Sequence, residues 1–333
     1  MVNFKPSLCY SQIMEVISPD FIKDKRVLLR YDIDVALHPL EEFKLKAGLP
    51  TLKLCLENAK QVILMGHLDR PDGKVVESLR VAPIVEWFKS QGMEPEVLEN
   101  LRFDPREEAC DLEYAKELAS MGDIYINEAF SSYRPAVSTT VLPTLLPHAA
   151  GLHFAEEVEV LTRVRNNPKK PFVVIMGGAK VKDKLPVIEV LAEKADVVLV
   201  GGKIASEIPI TSTIVEHNVM VGKLNEAGTD IAPETTESWK NLIMRAKMIV
   251  WNGPLGKFED LPAGRQGPKN DQSAAVARLI LDSGAETIVG GGDTIALLGQ
   301  LDLLDQFSFV SVGGGAMLKL LSEGTLATIE ALT

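Results

Sequence analysis

Lys180 and Lys184 stand four residues apart in GGAKVKDKLP, directly after the apolar run PFVVIM and ahead of a helical pattern. Two ammonium groups at such a turn would hold an anion over the amide-rich start of the helix. The plainer reading is a solvated strand-to-helix turn of the kind common in α/β proteins. Pro186 is expected in the first helical turn, where its missing N–H costs nothing, which sets Lys180 in the turn and Lys184 just before or at the helix start. GGGDT (290–294) offers Asp293 either as a hard oxygen ligand for Mg2+ or as a helix cap. The hydroxyl and amide of Thr294 suit phosphate oxygens. WNGPLGKFE (251–259) ends on Glu259, an acceptor for ribose hydroxyls or an ordinary exposed carboxylate. HLDRPDG puts His67 and Arg70 on one turn, NLRF brings Arg102, and SSYRPAVSTT brings Arg134. A lone arginine is commonly a solvated surface residue. Three at successive strand ends match an anion pocket, because guanidinium forks fit phosphate and carboxylate oxygens.

The elements that must position these groups alternate short apolar runs with longer helical patterns, the signature of parallel α/β sheets. Strands are expected at 26–34, 61–68, 95–103 and 123–130, each running out into polar or charged residues. Five more are expected at 171–178, 195–202, 247–254, 286–292 and 307–315, each running into glycine. Ligands of open parallel sheets bind beyond the carboxyl ends of the strands. Five glycine ends in succession imply backbone approaching a large flat or polyanionic ligand. Between the halves Phe154, Val158, Leu161 and Val164 recur at helical spacing, so 152–168 reads as a stiff linker helix. The stretch 261–272 is a Pro/Gly/polar loop.

A chain of 333 residues is long enough for roughly two domains. Its 46% hydrophobic and 24% charged content is that of a folded protein. The net charge of −11 argues against a nucleic-acid or anionic-membrane surface, so any anion must be held by local basic clusters. Cys9, Cys55 and Cys110 lack the spacing of a zinc or disulfide framework, and a reducing cytoplasm is the simplest compartment. Neither a signal peptide nor an apolar stretch of bilayer length is seen. No GxGxxG follows a strand and no GxxxxGK[ST] occurs, which removes support for a dinucleotide dehydrogenase and a P-loop kinase.

RYDID, GHLDRPDG, LENLRF, NEAF, GGAKVKDK, WNGPLGKFE, GGGDT and SVGGGAMLKLLSEG occur in order along nearly the whole chain. This set resembles the phosphoglycerate kinase family and is highly specific. The resemblance implies two Rossmann-like domains, each a parallel sheet flanked by helices, joined by a hinge helix. Residues 1–151 would form the acceptor domain, 152–168 the linker and 169–325 the nucleotide domain, with 326–333 returning to the first. The implied activity passes a phosphoryl group between 1,3-bisphosphoglycerate and ADP, giving 3-phosphoglycerate and ATP, with Mg2+ and by hinge closure, in a cytoplasmic monomer. Lys180, Lys44 and Gly292 would act in catalysis. Asp32, Ile33, Asp34, Lys44, His67, Leu68, Asp69, Arg70, Arg102 and Arg134 would bind the acceptor. Gly178, Lys184, Gly201, Gly202, Pro254, Glu259, Gly291, Gly292, Asp293 and Thr294 would bind nucleotide, with Asp293 on the metal.

The departures fall mainly in the acceptor half. The family's D-F-N reads Asp32-Ile33-Asp34, its arginine before the second helix falls on Lys44, and HLGR reads HLDR with Asp69. A-H-R-A-H reads Tyr133-Arg134-Pro135-Ala136-Val137, and the glycine triplet after the second nucleotide-domain strand reads Gly201-Gly202-Lys203. A strand-and-helix unit expected between WFKSQG and VLENLRF is missing. The alternative is a diverged relative that binds Mg-nucleotide but acts weakly or on another carboxylate; a non-enzymatic nucleotide-binding scaffold ranks last.

Overall fold

The computed structural model describes residues 14–35, 37, 42–178, 181–207, 218–257 and 272–333, the side chains of 181–183 excepted. Lys180, Glu259 and the loop 261–271 lie outside the described residues. The chain divides into two compact units. One runs through Thr162 and is completed by Glu323–Thr333, and the other is Arg163–Ser322.

In the first unit β1 (Arg26–Arg30), β2 (Gln61–Met65), β3 (Glu96–Val97), β4 (Ile124–Asn127) and β5 (His148–Ala150) form a parallel sheet in the order β3-β2-β1-β4-β5. The aliphatic run VLLR can fill a central strand because both faces of a parallel sheet are covered. Alternation sends Val27, Leu29 and Tyr31 into a core with Leu52, Cys55, Ile84 and Phe88. Tyr31 and Phe88 meet edge to face with centroids 5.5 Å apart. The stretch expected as one strand over 95–103 pairs only at Glu96–Val97. Asn100 ends it: its side chain donates to the carbonyls of Leu68 and Leu79 and accepts from the amides of Leu68 and Arg102. These bonds pull the backbone into the 3-10 turn Leu101–Phe103. Only Gln91–Pro95 separates the helix Ala82–Ser90 from β3, so the missing strand-and-helix unit leaves β3 as the sheet's edge.

In the second unit β6 (Phe172–Met176), β7 (Val197–Val200), β8 (Val219–Val221), β9 (Met248–Asn252), β10 (Glu286–Gly290) and β11 (Phe309–Ser311) form a parallel sheet in the order β11-β10-β9-β6-β7-β8. FVVIM and MIVWN are buried at every position, over a core that includes Trp239, Trp251 and Phe307. Chain order reverses between β6 and β9, and in the first unit between β1 and β4. These are the switch points at which a crevice opens beyond the strand ends. The short strands β5 and β8, of three residues each, carry too little pattern to be anticipated.

A helix runs Leu152–Asn166 with Phe154, Val158, Leu161 and Val164 buried. Its start is capped from outside the helix. Glu128, just past β4, accepts from the amides of His153 (3.1 Å) and Phe154 (3.2 Å) and from the Thr51 hydroxyl (2.9 Å). Burial pushes the Glu128 carboxyl up to about 7, against the opposing pull of His153 and these hydrogen bonds. The folded form therefore holds this proton more tightly than the unfolded chain. The stabilisation is complete below the ordinary carboxylate range and is lost as pH rises through about 7. Glu128→Gln stays neutral at every pH. The melting-temperature advantage of the native chain over Glu128→Gln is expected to be larger at pH 5 than at pH 8; an equal gap at both would contradict the assignment.

Candidate active site

The acceptor side is built at the carboxyl ends of β1 and β2. Asp32 and Ile33 are buried immediately after β1, and Asp34 emerges toward solvent. Asp32 Oδ2 accepts from the Ser131 amide at 3.2 Å, beyond β4, while its Oδ1 has no partner among the described residues. A buried carboxylate oxygen left unpaired carries a desolvation cost that a ligand hydroxyl would relieve. Asp34 Oδ1 accepts from the Asp69 amide at 2.8 Å, and Asp34 Oδ2 lies 3.7 Å from His67 Nε2. Asp69 adopts φ +49°, a left-handed conformation in which glycine is at ease.

Lys44 arrives on the helix Glu42–Ala47, which the Tyr31 hydroxyl ties down by donating to the Leu45 carbonyl at 2.5 Å. Lys44 Nζ donates to the Asp34 carbonyl at 3.4 Å. Arg102 donates to the Asp69 carbonyl at 2.7 Å and pairs with Glu108 at 3.2 Å. His67 is 9% exposed, and burial, then the charges of Arg30, Arg102 and Lys44, hold its imidazole well below the usual value. It is a neutral group in a cationic setting. Arg70 and Arg134 are exposed, and Leu68 is buried in the wall. Thus Asp34, Lys44, His67, Asp69 and Arg102 are linked by contacts and Asp32 is held separately by the Ser131 amide, whereas Arg70 and Arg134 make no side-chain bond among the described residues. Beside them a cleft of about 550 Å³ is bounded by Asp34, Val35, Leu68, Asp69, Leu79 and Ile84.

On the nucleotide side the glycines serve chiefly to let loops touch one another, which modifies the expectation that all five clear space for a ligand. A Cβ on Gly253 (φ +92°) would stand 2.2 Å from the Gly177 carbonyl oxygen, and one on Gly202 (φ +63°) 2.9 Å from the Pro254 oxygen. The Gly178 amide donates to the Pro254 carbonyl at 2.7 Å. Gly201 backs onto Leu255, and Gly314 onto Gly291. Gly292 alone among the predicted site glycines faces open space. It begins the helix Gly292–Gln300, whose first amides are available to an anion. Thr294 is fully buried and its hydroxyl accepts from the Gly253 amide at 2.7 Å, so that side chain braces the loops. Asp293 is exposed and lines a cavity of about 190 Å³ with Gly178, Gly202, Lys203, Leu224 and Pro254.

Lys184 is the fourth residue of the helix Val181–Ala192, and its Nζ donates to the carbonyls of Gly177 (2.5 Å) and Asn252 (3.5 Å). Pro186 therefore falls in the second turn rather than the first. Its missing N–H forgoes one bond to the Lys182 carbonyl, because the helix starts closer to Gly178 than the proline signal indicates. Among the described residues no cluster of three or more His, Cys, Asp or Glu could hold a metal unaided.

The family model for phosphoglycerate kinase matches residues 18–94, 88–215 and 208–324. The chain is 34% identical to a phosphoglycerate kinase of Roseiflexus sp. (strain RS-1), over 92% of its own length and 96% of that protein. It is 35% identical to that of Herpetosiphon aurantiacus, at the same coverage. The chain belongs to the phosphoglycerate kinase family. A solved phosphoglycerate kinase from Coxiella burnetii superposes with a TM-score of 0.80 at 28% identity, covering 96% of this chain and 98% of that one. The match to the Roseiflexus protein runs over 385 positions against a chain of 333 residues, so phosphoglycerate kinases of that kind carry segments this chain lacks.

Two residues of this phosphoglycerate kinase fold escaped the sequence reading. Arg30 is 1% exposed at the end of β1, where its guanidinium contacts His67. Asn252 ends β9 3% exposed, its Nδ2 without a partner among the described residues; Cβ atoms on Gly291 and Gly314 would stand 3.3 and 3.4 Å from it. The available signal was a polar residue closing an otherwise apolar run, VLLR and MIVWN.

The two glycine roles are separable. Gly253→Ala is expected to lower thermal stability with or without nucleotide, by roughly 2 kcal/mol or more, since it adds both strain and a backbone clash. Gly292→Ala has room and is expected to melt like the native chain while losing ATP affinity. Unchanged ATP affinity in that variant would show that the open space there is not ligand space.

Proposed function

We propose that this protein catalyses phosphoryl transfer between 1,3-bisphosphoglycerate and ADP, giving 3-phosphoglycerate and ATP, as a cytoplasmic monomer. The carrying observation is the set of cationic and donor groups, Lys44, His67 and Arg102, tied together at the ends of β1 and β2 in a chain of net charge −11. Family membership supports assigning 3-phosphoglycerate to that set. The second unit supplies the nucleotide side through Gly178, Gly201, Gly202, Lys184, Pro254, Gly291–Thr294 and Glu259.

In the direction of ATP use, a carboxylate oxygen of 3-phosphoglycerate forms a bond to the γ-phosphorus. The bond from that phosphorus to the β,γ-bridging oxygen breaks, and ADP leaves with the electron pair. The carboxylate is already ionised at neutral pH, so no general base is needed. What the chain must supply is alignment and charge stabilisation. Lys44 and Arg102 hold the acceptor's anionic groups, His67 Nε2 donates a hydrogen bond, and the unpaired Asp32 Oδ1 accepts from its hydroxyl. The amides that open the helix Gly292–Gln300 face the charge developing on the transferring group, and Lys180 neutralises it. Asp293 suits Mg2+, which commonly takes one or two carboxylates and completes its shell with nucleotide phosphates and water; bound there it would neutralise phosphate charge. One exposed carboxylate beside the Gly178–Gly202 cavity meets that need.

Coupled assays with Mg·ATP and 3-phosphoglycerate are expected to give turnover, and its absence in folded protein that binds ATP would overturn the reading. Lys180→Ala is expected to lower kcat by about 100-fold with little change in ATP affinity. A loss of affinity with kcat retained would instead make Lys180 a ground-state anchor.

Asp34 and Asp69 add negative charge beside the acceptor, each opposing it by ~1 kcal/mol. The double change Asp34→Asn with Asp69→Gly keeps the acceptor for residue 69's amide and removes the left-handed strain at that position. It is expected to lower KM for 3-phosphoglycerate several-fold at fixed ionic strength, with KM for ATP unchanged. A raised KM for 3-phosphoglycerate would mean that the two acids bind productively.

A further inference from the structure

His67 faces two ways. Its Nε2 points to the acceptor side, 3.7 Å from Asp34 Oδ2, and its Nδ1 lies 2.6 Å from Arg30 Nη2. Arg30 is 1% exposed and uses its whole fork inside the protein. Nη1 donates to the Tyr31 carbonyl at 2.6 Å, and Nε donates to the Ser138 hydroxyl at 2.9 Å. Ser138 sits on the π-helical turn Val137–Val141 and passes the contact on. Its hydroxyl donates to Glu107 Oε1 at 2.5 Å, and its amide donates to Glu107 Oε2 at 3.1 Å. Glu107, on the short helix Pro105–Glu108, is itself buried.

A guanidinium has donors only and is not deprotonated in proteins. The ring nitrogen facing it at hydrogen-bond distance must present a lone pair, so Nδ1 carries no proton. The one ring proton then sits on Nε2. An imidazolium would place an N–H against the guanidinium and is excluded by the same contact.

We propose that Arg30, braced through Ser138 by Glu107, is a positioning residue that fixes His67 as the neutral Nε2–H tautomer and so presents a donor to the anionic acceptor. This rests on the proposed function for what His67 meets on its Nε2 side; the tautomer itself does not. Arg30 touches no substrate. It acts by removing the choice of which nitrogen carries the proton, a choice that free imidazole leaves open. The cations around the ring all work the same way. Arg30 from β1, Arg102 from the turn after β3 and Lys44 from the helix Glu42–Ala47 disfavour a second proton, against the single opposing carboxylate of Asp34 that pairs with the ring among the described residues. His67 therefore adds no ionisation to acceptor binding near neutral pH.

The test is nitrogen NMR of the imidazole rings in the ligand-free protein, with His67 assigned by His67→Asn. A single Nε2–H form from pH 8 down to pH 6 is expected. An Nδ1–H form, or an imidazolium at pH 7, overturns the proposal whether or not the enzyme is active. Arg30→Met should raise the His67 pKa, though burial and the charges of Arg102 and Lys44 still hold it below the ordinary value, and should mix tautomers. KM for 3-phosphoglycerate should then rise about tenfold at pH 8, the worth of one charge-assisted hydrogen bond. That excess should shrink as pH falls and an imidazolium forms. Arg30→Lys, which keeps a cationic donor to Nδ1, should restore the native spectrum. Because Arg30→Met strips a buried site of all three guanidinium bonds, Ser138→Ala is the milder variant. It loosens Arg30 and should broaden or split the His67 signals, and signals identical to the native ones would exclude the bracing role. The coupled assay is read separately. A native tautomer with no turnover would sink the function and leave the positioning intact.

Discussion

Arg30 is a permanent charge taken out of water at the end of the central strand of the first sheet, and the acceptor half is arranged around that fact. Removing a cation from solvent costs several kcal/mol unless its donors find partners in good geometry. Here the partners come from Tyr31 on the same strand end, His67 after β2 and Ser138 on the π-helical turn after β4. Glu107 supplies the compensating charge one bond further out, through Ser138. Two strand ends and a turn are thereby locked to one guanidinium. Of the residues that face the acceptor, His67 is itself one of those locked points, Asp32 adjoins Tyr31 and Asp34 follows two residues later. A rigid, charged floor lets a chain of net charge −11 keep an anion-attracting site, because the cations are few and fixed rather than numerous and mobile.

The second unit reaches precision by the opposite means. Its site loops carry almost no side chain where they meet, so the backbones after β6, β7 and β9 pack directly on one another. Gly177 against Gly253, and Gly177 and Gly202 against Pro254, leave no room even for a methyl group. Lys184 is threaded through this contact and donates to carbonyls on two of the loops. Thr294 adds a buried hydroxyl that ties the start of its helix to Gly253. The helix amides and Asp293 are thus held by backbone geometry, which leaves Gly292 open to solvent. Positioning by main chain suits phosphoryl transfer, where the protein contributes placement and charge rather than a proton.

The altered acceptor residues show how a substitution can keep a structural task while changing the electrostatics. Asp34 Oδ1 accepts from the amide of residue 69, a bond that a side-chain amide oxygen would also accept. Asp69 holds a left-handed conformation that glycine would take without strain, and its carbonyl still receives Arg102. The frame of the turn survives both substitutions, and what changes is the charge presented to an anionic ligand.

The amino-acid sequence by itself determined the class of fold, because buried parallel strands read as continuous apolar runs and their ends as glycine or charge. It also marked His67, Arg102, Lys184 and Asp293, since cations, a hard oxygen ligand and glycine-rich turns are legible as residue types at strand ends, while Lys44 entered only through the family resemblance. It misread 95–103, where the long-range bonds of Asn100 outweigh local strand propensity. It set Pro186 one turn early, because a proline signal gives only the neighbourhood of a helix start. Tertiary structure alone decided that most site glycines serve loop-to-loop contact and that Gly292 is the open one. It alone joined Arg30 to His67 and Glu107, residues 37 and 77 positions away along the chain. A hydrogen bond between distant strand ends leaves no periodicity or local motif behind, so only the fold that brings those ends together can reveal it.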